Sequence, residues 1–293
     1  ETARFWRGFG SYTEMNGRKK FCFYDVTGPD EYTAIVDNNY YTNRMAKFNL
    51  NFAVKLIEKF PQKAQSLGVT SKEINDLKQT AQAIYLPYDK KLGINQQDDS
   101  SFKKPVWPFE KTPKENYPLL LHYHPLTIYR YQVNKQADTI LADFLFNDIS
   151  QAQLKREYDY YEKITTHDSS LSRSIFSAMA ARIGLKQKAY DYFIDTVRTD
   201  LTDLQGNSAD GLHVANLGGS WLTVVFGFCG VEVKNGTLFL HNNLPKAWNK
   251  LSIRLKFKGR LLKMTYSPDK IEVDLLDGQP IKLFIDGTSQ MIV

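Results

Sequence analysis

The stretch Asp25-Val-Thr-Gly-Pro-Asp-Glu-Tyr-Thr33, followed by Val36-Asp-Asn-Asn39, sets one carboxyl, Glu31, on a Gly-Pro turn beside Asp30 and Tyr32. Planar polar groups crowded around a single carboxyl suit a carbohydrate, which needs many hydrogen bonds and an aromatic face. A carboxyl held there as an acid could protonate the oxygen of a departing sugar. Holding that proton near neutrality calls for burial in a pocket. The plainer reading of the same residues is a surface turn with an acidic helix start. A second run, Thr165-Thr-His-Asp-Ser-Ser170, supplies the hydroxyls of Thr165, Thr166, Ser169 and Ser170 and the imidazole of His167 just before an expected helix. Backbone N–H groups at a helix N-terminus carry partial positive charge and suit phosphate. Simple capping by Asp168 or Ser169 is the ordinary alternative, but it needs one such residue and not a run of them.

The wording Thr-Gly-Pro-Asp-Glu-Tyr followed by Asp-Asn-Asn-Tyr-Tyr-Thr-Asn resembles the general-acid motif of glycoside hydrolase family 65. That family includes inverting phosphorylases of maltose, trehalose, kojibiose and similar glucosides. Further segments match in the family's order: Lys135-Gln-Ala-Asp138, Tyr160-Tyr-Glu162 running into His167-Asp-Ser-Ser-Leu-Ser172, and Gly211-Leu-His213 with Gly218-Gly-Ser-Trp221. The resemblance implies that Glu31 is the catalytic acid and that Lys135 and Gln136 grip glucose hydroxyls beside the scissile bond. It also implies that the Thr165–Ser170 run is a phosphate loop, with His213 as a second phosphate contact and Gly218-Gly219 allowing close backbone approach. It implies no metal and no cofactor, with inorganic phosphate as co-substrate, and a homodimer as one possible state of the whole enzyme.

Inverting glycosyl transfer needs an acid on one face of the sugar and a nucleophile on the other. A hydrolase places a carboxylate base and a water there, whereas in a phosphorylase the anionic phosphate needs no base. Glu162, in Tyr-Tyr-Glu, is a candidate for binding sugar hydroxyls or for serving as that base. Were Glu162 or Asp168 to face the anomeric carbon across a water, hydrolysis would be the better assignment. Tyr40, Tyr41, Tyr160 and Tyr161 are candidate stacking faces, with core packing as the default. His122 and His124 lie two apart but have no third ligand of suitable type, so no metal site is expected.

The 293 residues suffice for one large domain with a small appendage. A hydrophobic fraction of 42% and a charged fraction of 24% are ordinary for a globular protein. The net charge of +6 is spread out, densest at 18–20 and 254–263, and no nucleic-acid motif accompanies it, so a nucleic-acid partner is not expected. The two cysteines, Cys22 and Cys229, are expected as buried free thiols, with a long-range disulfide as the alternative. No apolar run approaches the roughly 20 residues of a membrane span, and a cytoplasmic location without membrane contact is expected.

Helical periodicity begins near residue 39, where Met45, Phe48, Phe52, Leu56 and Phe60 form the stripe of a core-facing helix that Pro61 ends. Thr70 and Glu73 form a capping-box pair for the next helix. The segment from Pro87 to Pro118 reads as a long irregular loop. Helices are expected again through Val133–Phe144, Leu171–Ile183 with Gly184 as the stop, Ala189–Val197 and Ser220–Phe228. After Gly230 the period changes to two at Leu251–Phe257, Ile271–Leu275 and Ile281–Ile285. The fold class expected is mainly α: the later helices of the (α/α)6 toroid that the resemblance implies, then a small antiparallel β module. Residues 1–229 are assigned to the catalytic domain and 230–293 to the β module.

The chain opens inside a helix-like stretch, and members of the resembled family are longer, so it is expected to be the C-terminal portion of such an enzyme. The activity expected of the whole is inverting phosphorolysis of an α-linked glucose disaccharide, maltose being favoured. Two alternatives stand: an inverting α-glucoside hydrolase, and a catalytically inactive binding or scaffolding fragment. No Trp-Asp pair occurs in the sequence, although the family uses one for the outer glucose. A partial toroid would expose apolar faces, and the 293-residue chain by itself is expected to be inactive.

Overall fold

The computed structural model describes residues 1–15 and 17–293. They form two compact units, Glu1–Asp168 and Ser169–Val293. The expected boundary between residues 229 and 230 thus lies inside the second unit. The first unit opens with α1 (Thr2–Phe9) and the antiparallel strands β1 (Ser11–Met15) and β2 (Arg18–Cys22). Then come α2 (Tyr40–Lys59), α3 (Pro61–Ser66) and α4 (Ser71–Ala83). Asn39 caps α2 by accepting the Thr42 N–H at 3.0 Å, and Pro61 starts α3 at a position where a missing N–H costs nothing. Thr70 caps α4 through the Glu73 N–H, but the Glu73 carboxylate turns to Arg4, so the capping box is half made.

The stripe expected to face the core on α2 does not do so. Phe48, Phe52, Leu56 and Phe60 are 40–53% exposed, with Phe48 and Phe52 stacked at 5.7 Å. The buried face is Tyr40, Asn43, Ala46, Leu50 and Val54, and Ala46, Leu50 and Val54 share a core with Leu77 and Ala81 of α4. Apolar periodicity shows that a stripe exists; with apolar residues on two faces, it does not say which one is covered.

The long loop is built rather than loose. Between Pro87 and Pro118 it carries the short pair β3 (Tyr88–Asp89) and β4 (Ile94–Asn95) and three 3₁₀ turns; a fourth 3₁₀ turn and α5 (Pro125–Ile128) follow, and Trp107 of the loop packs in a core with Tyr32, Leu119, Ile128 and Val133. His122 and His124 lie at turn ends, and the His124 ring accepts the Leu126 N–H at 3.2 Å as a helix cap. Among the described residues, no cluster of His, Cys, Asp or Glu could hold a metal ion. The unit closes with α6 (Asp138–Phe146) and α7 (Gln151–Ile164).

The second unit begins with α8 (Ser172–Arg182), stopped by Gly184 at φ 81°, then α9 (Lys186–Arg198) and α10 (Val214–Leu222), which continues as a π-helical turn over Thr223–Phe228. The rest is strand: β5 (Glu232–Lys234), β6 (Thr237–Leu240), β7 (Leu251–Phe257), β8 (Arg260–Ser267), β9 (Lys270–Asp277), β10 (Ile281–Ile285) and β11 (Thr288–Ile292). They pair as a three-stranded meander β7-β8-β9 and a four-stranded sheet β11-β10-β6-β5, antiparallel except for β6 against β10. Leu238, Leu240, Leu262, Met264, Tyr266 and Leu283 fill the space between them. Cys22 and Cys229 are both buried and free, and burial pushes the Cys229 thiol up to about 12. No helix among the described residues is long and apolar enough to cross a membrane.

Candidate active site

Three segments of the first unit meet: the turn carrying Glu31, the extended residues 134–136 leading into α6, and the end of α7 with the turn after it. Asn134 links the last two as backbone, donating to Ile164 O and accepting from Thr166 N, each at 2.8 Å. The first two are joined by Asp30, which is wholly buried. Its Oδ1 accepts the N–H groups of Lys135 at 2.7 Å and Tyr32 at 3.3 Å, and its Oδ2 accepts from Gln97 at 2.9 Å and Thr33 at 3.0 Å. Its own N–H donates to Asp138 at 2.8 Å, and the Asp138 carboxyl accepts from Asn39 at 2.9 Å. The Gln136 side chain donates to Pro29 O at 2.6 Å.

This lattice presents Glu31 and Lys135 side by side as an ion pair. The Glu31 side chain is 58% exposed and that of Lys135 only 22%. The burial expected around Glu31 is therefore not found; its immediate neighbour is an ammonium on a turn whose buried member is Asp30. Burial pushes the Asp30 carboxyl up to about 6 and raises Asp138 well above the ordinary aspartate range, the nearby Asp30 charge adding to the second shift. The donors aimed at Asp30 outnumber those aimed at Asp138, so the pair's negative charge sits on Asp30 and its proton on Asp138. Gly28 makes room for this: a Cβ there would lie 2.0 Å from Asp138 Oδ2.

The residue after Glu31 reaches the third segment. The Tyr32 hydroxyl donates to Asp168 and accepts the Leu119 N–H at 2.7 Å. His167, next to Asp168, is buried with φ 57°, a left-handed conformation that a residue with a Cβ adopts only when its surroundings impose it. The hydroxyls of this run are not alike. Thr165 is buried and donates to Tyr161 O at 2.7 Å, and Thr166 donates to Asn134 O at 3.3 Å while accepting the Asp168 N–H. Both fix the turn. Glu162 is half-buried near the end of α7. Tyr40 and Tyr161 are core residues with their hydroxyls on Asp143 and Asn95 O, and Tyr160 packs on Phe102, so core packing accounts for these three.

In the second unit, Ser169 and Ser170 are half-buried ahead of α8, and the Ser169 hydroxyl accepts the Leu171 N–H at 3.2 Å. His213 stands at the start of α10, its Nδ1 2.5 Å from Asp200 Oδ1 and its N–H on Asp200 Oδ2 at 3.0 Å. That hydrogen bond holds the Asp200 carboxyl below its usual range and occupies the Nδ1 side of the ring. The close approach expected at the paired glycines is to a helix: a Cβ on Gly219 would lie 2.5 Å from the Ser174 hydroxyl of α8, whereas Gly218 faces open space. Asp30, Asp138, Tyr32 and Asp200 were given no role by sequence reasoning. Asp30, Asp138 and Tyr32 lie inside the quoted motifs, but nothing in residue type separates a buried anchor from a solvated neighbour.

The turn at Glu31 thus presents an exposed carboxyl beside a half-buried ammonium, and the turn after α7 carries a backbone in the left-handed region at His167. Residues 1–222 match the central catalytic domain of glycosyl hydrolase family 65, and residues 231–290 match that family's C-terminal domain. The chain belongs to glycoside hydrolase family 65. Several of the relatives it matches are disaccharide phosphorylases. It is 48% identical to an alpha,alpha-trehalose phosphorylase of Geobacillus stearothermophilus, 35% to a kojibiose phosphorylase of Thermoanaerobacter brockii and 31% to a maltose phosphorylase of Bacillus subtilis. Those alignments cover 100%, 98% and 96% of this chain but only 39%, 38% and 37% of the relatives. A solved structure provisionally described as a kojibiose phosphorylase from the human microbiome superposes with a TM-score of 0.90 at 31% identity, over 99% of this chain and 41% of its own.

Proposed function

We propose that the protein containing this chain carries out inverting phosphorolysis of an α-linked glucose disaccharide, releasing β-glucose 1-phosphate and a free sugar. Glu31 protonates the glycosidic oxygen, and Lys135, Gln136 and Glu162 hold the glucose. Phosphate, held by the Thr165–Ser170 turn and His213, attacks the anomeric carbon from the opposite face. Within this scheme Thr165, Thr166 and His167 shape the turn, and the hydroxyls of Ser169 and Ser170 with the His213 ring meet the anion. Residues 1–229 belong to the catalytic domain and 230–293 to the appended module.

The observation that carries this reading is the tie between Tyr32 and Asp168. It joins the acid's own turn to the hydroxyl-rich turn, and it engages the one carboxylate of that turn in a hydrogen bond. The relatives' names point the same way and move the first substrate to test from maltose to trehalose. The test is to assay the full-length protein on trehalose, kojibiose and maltose with and without inorganic phosphate. Sugar phosphate should form only when phosphate is present, and Glu31→Gln should lower the rate by about 10²- to 10⁴-fold. Glucose release at an equal rate without phosphate would assign the protein as a hydrolase.

A further inference from the structure

We infer that Asp30 is the positioning residue of this site, setting the place of the proton donor relative to the sugar-gripping pair; the inference rests on the reading of Glu31 as acid. Asp30 is 0% exposed and accepts from donors on three separate segments. These are the Tyr32 N–H and Thr33 hydroxyl on Glu31's own turn, the Gln97 amide of the long loop, and the Lys135 N–H. The two residues whose separation matters, Glu31 and Lys135, are thus fixed through one carboxylate that touches neither of their functional ends.

The network also has a direction. Gln97 donates to Asp30 from Nε2 and accepts from Asn134 Nδ2 at 2.6 Å through Oε1, while Asn134 holds the backbone of Ile164 and Thr166. An amide in place of the Asp30 carboxylate keeps the Lys135 N–H satisfied at one atom but aims an N–H at Gln97. Turning Gln97 to relieve that clash brings its donor onto the Asn134 donor. Relief requires Gln97 and Asn134 both to reverse, so the change reaches the residue whose backbone ties to Ile164 and Thr166. The error therefore passes to residues 134–136, and so to the distance between acid and sugar.

The test uses Asp30→Asn in the full-length protein, with disaccharide and α-glucosyl fluoride as substrates in the presence of phosphate. Fluoride departs with little need of a proton, so the two substrates separate loss of acid placement from loss of sugar or phosphate binding. With the disaccharide, kcat should fall about 100-fold, the scale of a misplacement near 1 Å. The KM for phosphate should stay within about twofold and the rate on the fluoride should be largely kept. Thr33→Val, which deletes one donor to Asp30 and disturbs the fold less, should show the same selectivity at smaller size and decides the matter if Asp30→Asn does not fold. An unchanged kcat on the disaccharide, or equal losses on both substrates, overturns the inference. Glu31→Gln run in parallel tells the failures apart: if it is fully active on the disaccharide, the reading of the acid is lost, and if it is inactive there while Asp30→Asn is not, only the positioning role is lost.

Discussion

The Tyr32 hydroxyl spends its proton on Asp168 and its lone pair on the Leu119 N–H, while its ring fills the core of the long loop. Tyr32→Phe keeps the ring and deletes both bonds, removing one hydrogen bond from the Asp168 carboxylate beside the proposed anion site. The KM for phosphate should rise several-fold with a smaller change in kcat, as read from initial rates over a range of phosphate concentrations; an unchanged KM would show that Asp168 does not set the turn. The Asp30–Asp138 pair gives a pH dependence. Both groups are raised by burial, so the native state keeps protons that the unfolded chain releases. Their contribution to stability is complete below the ordinary aspartate value of about 3.9 and is lost as pH rises, for Asp30 through about 6 and for Asp138 in the same direction. Asp138→Asn should therefore lose less stability than the parent between about pH 5 and pH 8, measured by urea unfolding. Parallel curves would mean that the two carboxyls titrate normally.

At the scale of elements, α2 is decided by its small face. Leu50 is 0% exposed and Phe52 is 47% exposed, so Leu50→Ala should cost about 2–5 kcal/mol and Phe52→Ala far less, as measured by denaturant midpoint. The reverse order would restore the aromatic stripe as the core face. Helix starts and stops were legible in the sequence wherever local chemistry sets them: Thr70 as a cap, Pro61, Gly184, and the two-residue alternation of β7, β9 and β10. What could not be read depends on distant partners. The α2 face is one case, since which of two apolar stripes is covered is set by distant residues such as Leu77 and Ala81 of α4. The hairpin of β1 and β2 is another, because its alternation is masked by charged residues on both faces. The site divides in the same way. Glu31, Lys135 and the hydroxyl-rich turn stand out by type and order, whereas Asp30 differs from any surface aspartate only through bonds reaching to residues 97 and 135.

Across the whole molecule, each compact unit holds one of the chain's two cysteines, Cys22 in Glu1–Asp168 and Cys229 in Ser169–Val293, each free and buried. A thiol reagent attacks only thiolate that solvent can reach, and neither group meets that condition while its unit stays closed. Alkylation under rising denaturant, followed by mass analysis of the two cysteine peptides, is therefore a pair of native clocks that time the opening of each half of the chain without any introduced label. Simultaneous modification would mark a single cooperative melt, and staggered modification would say which half lets go first.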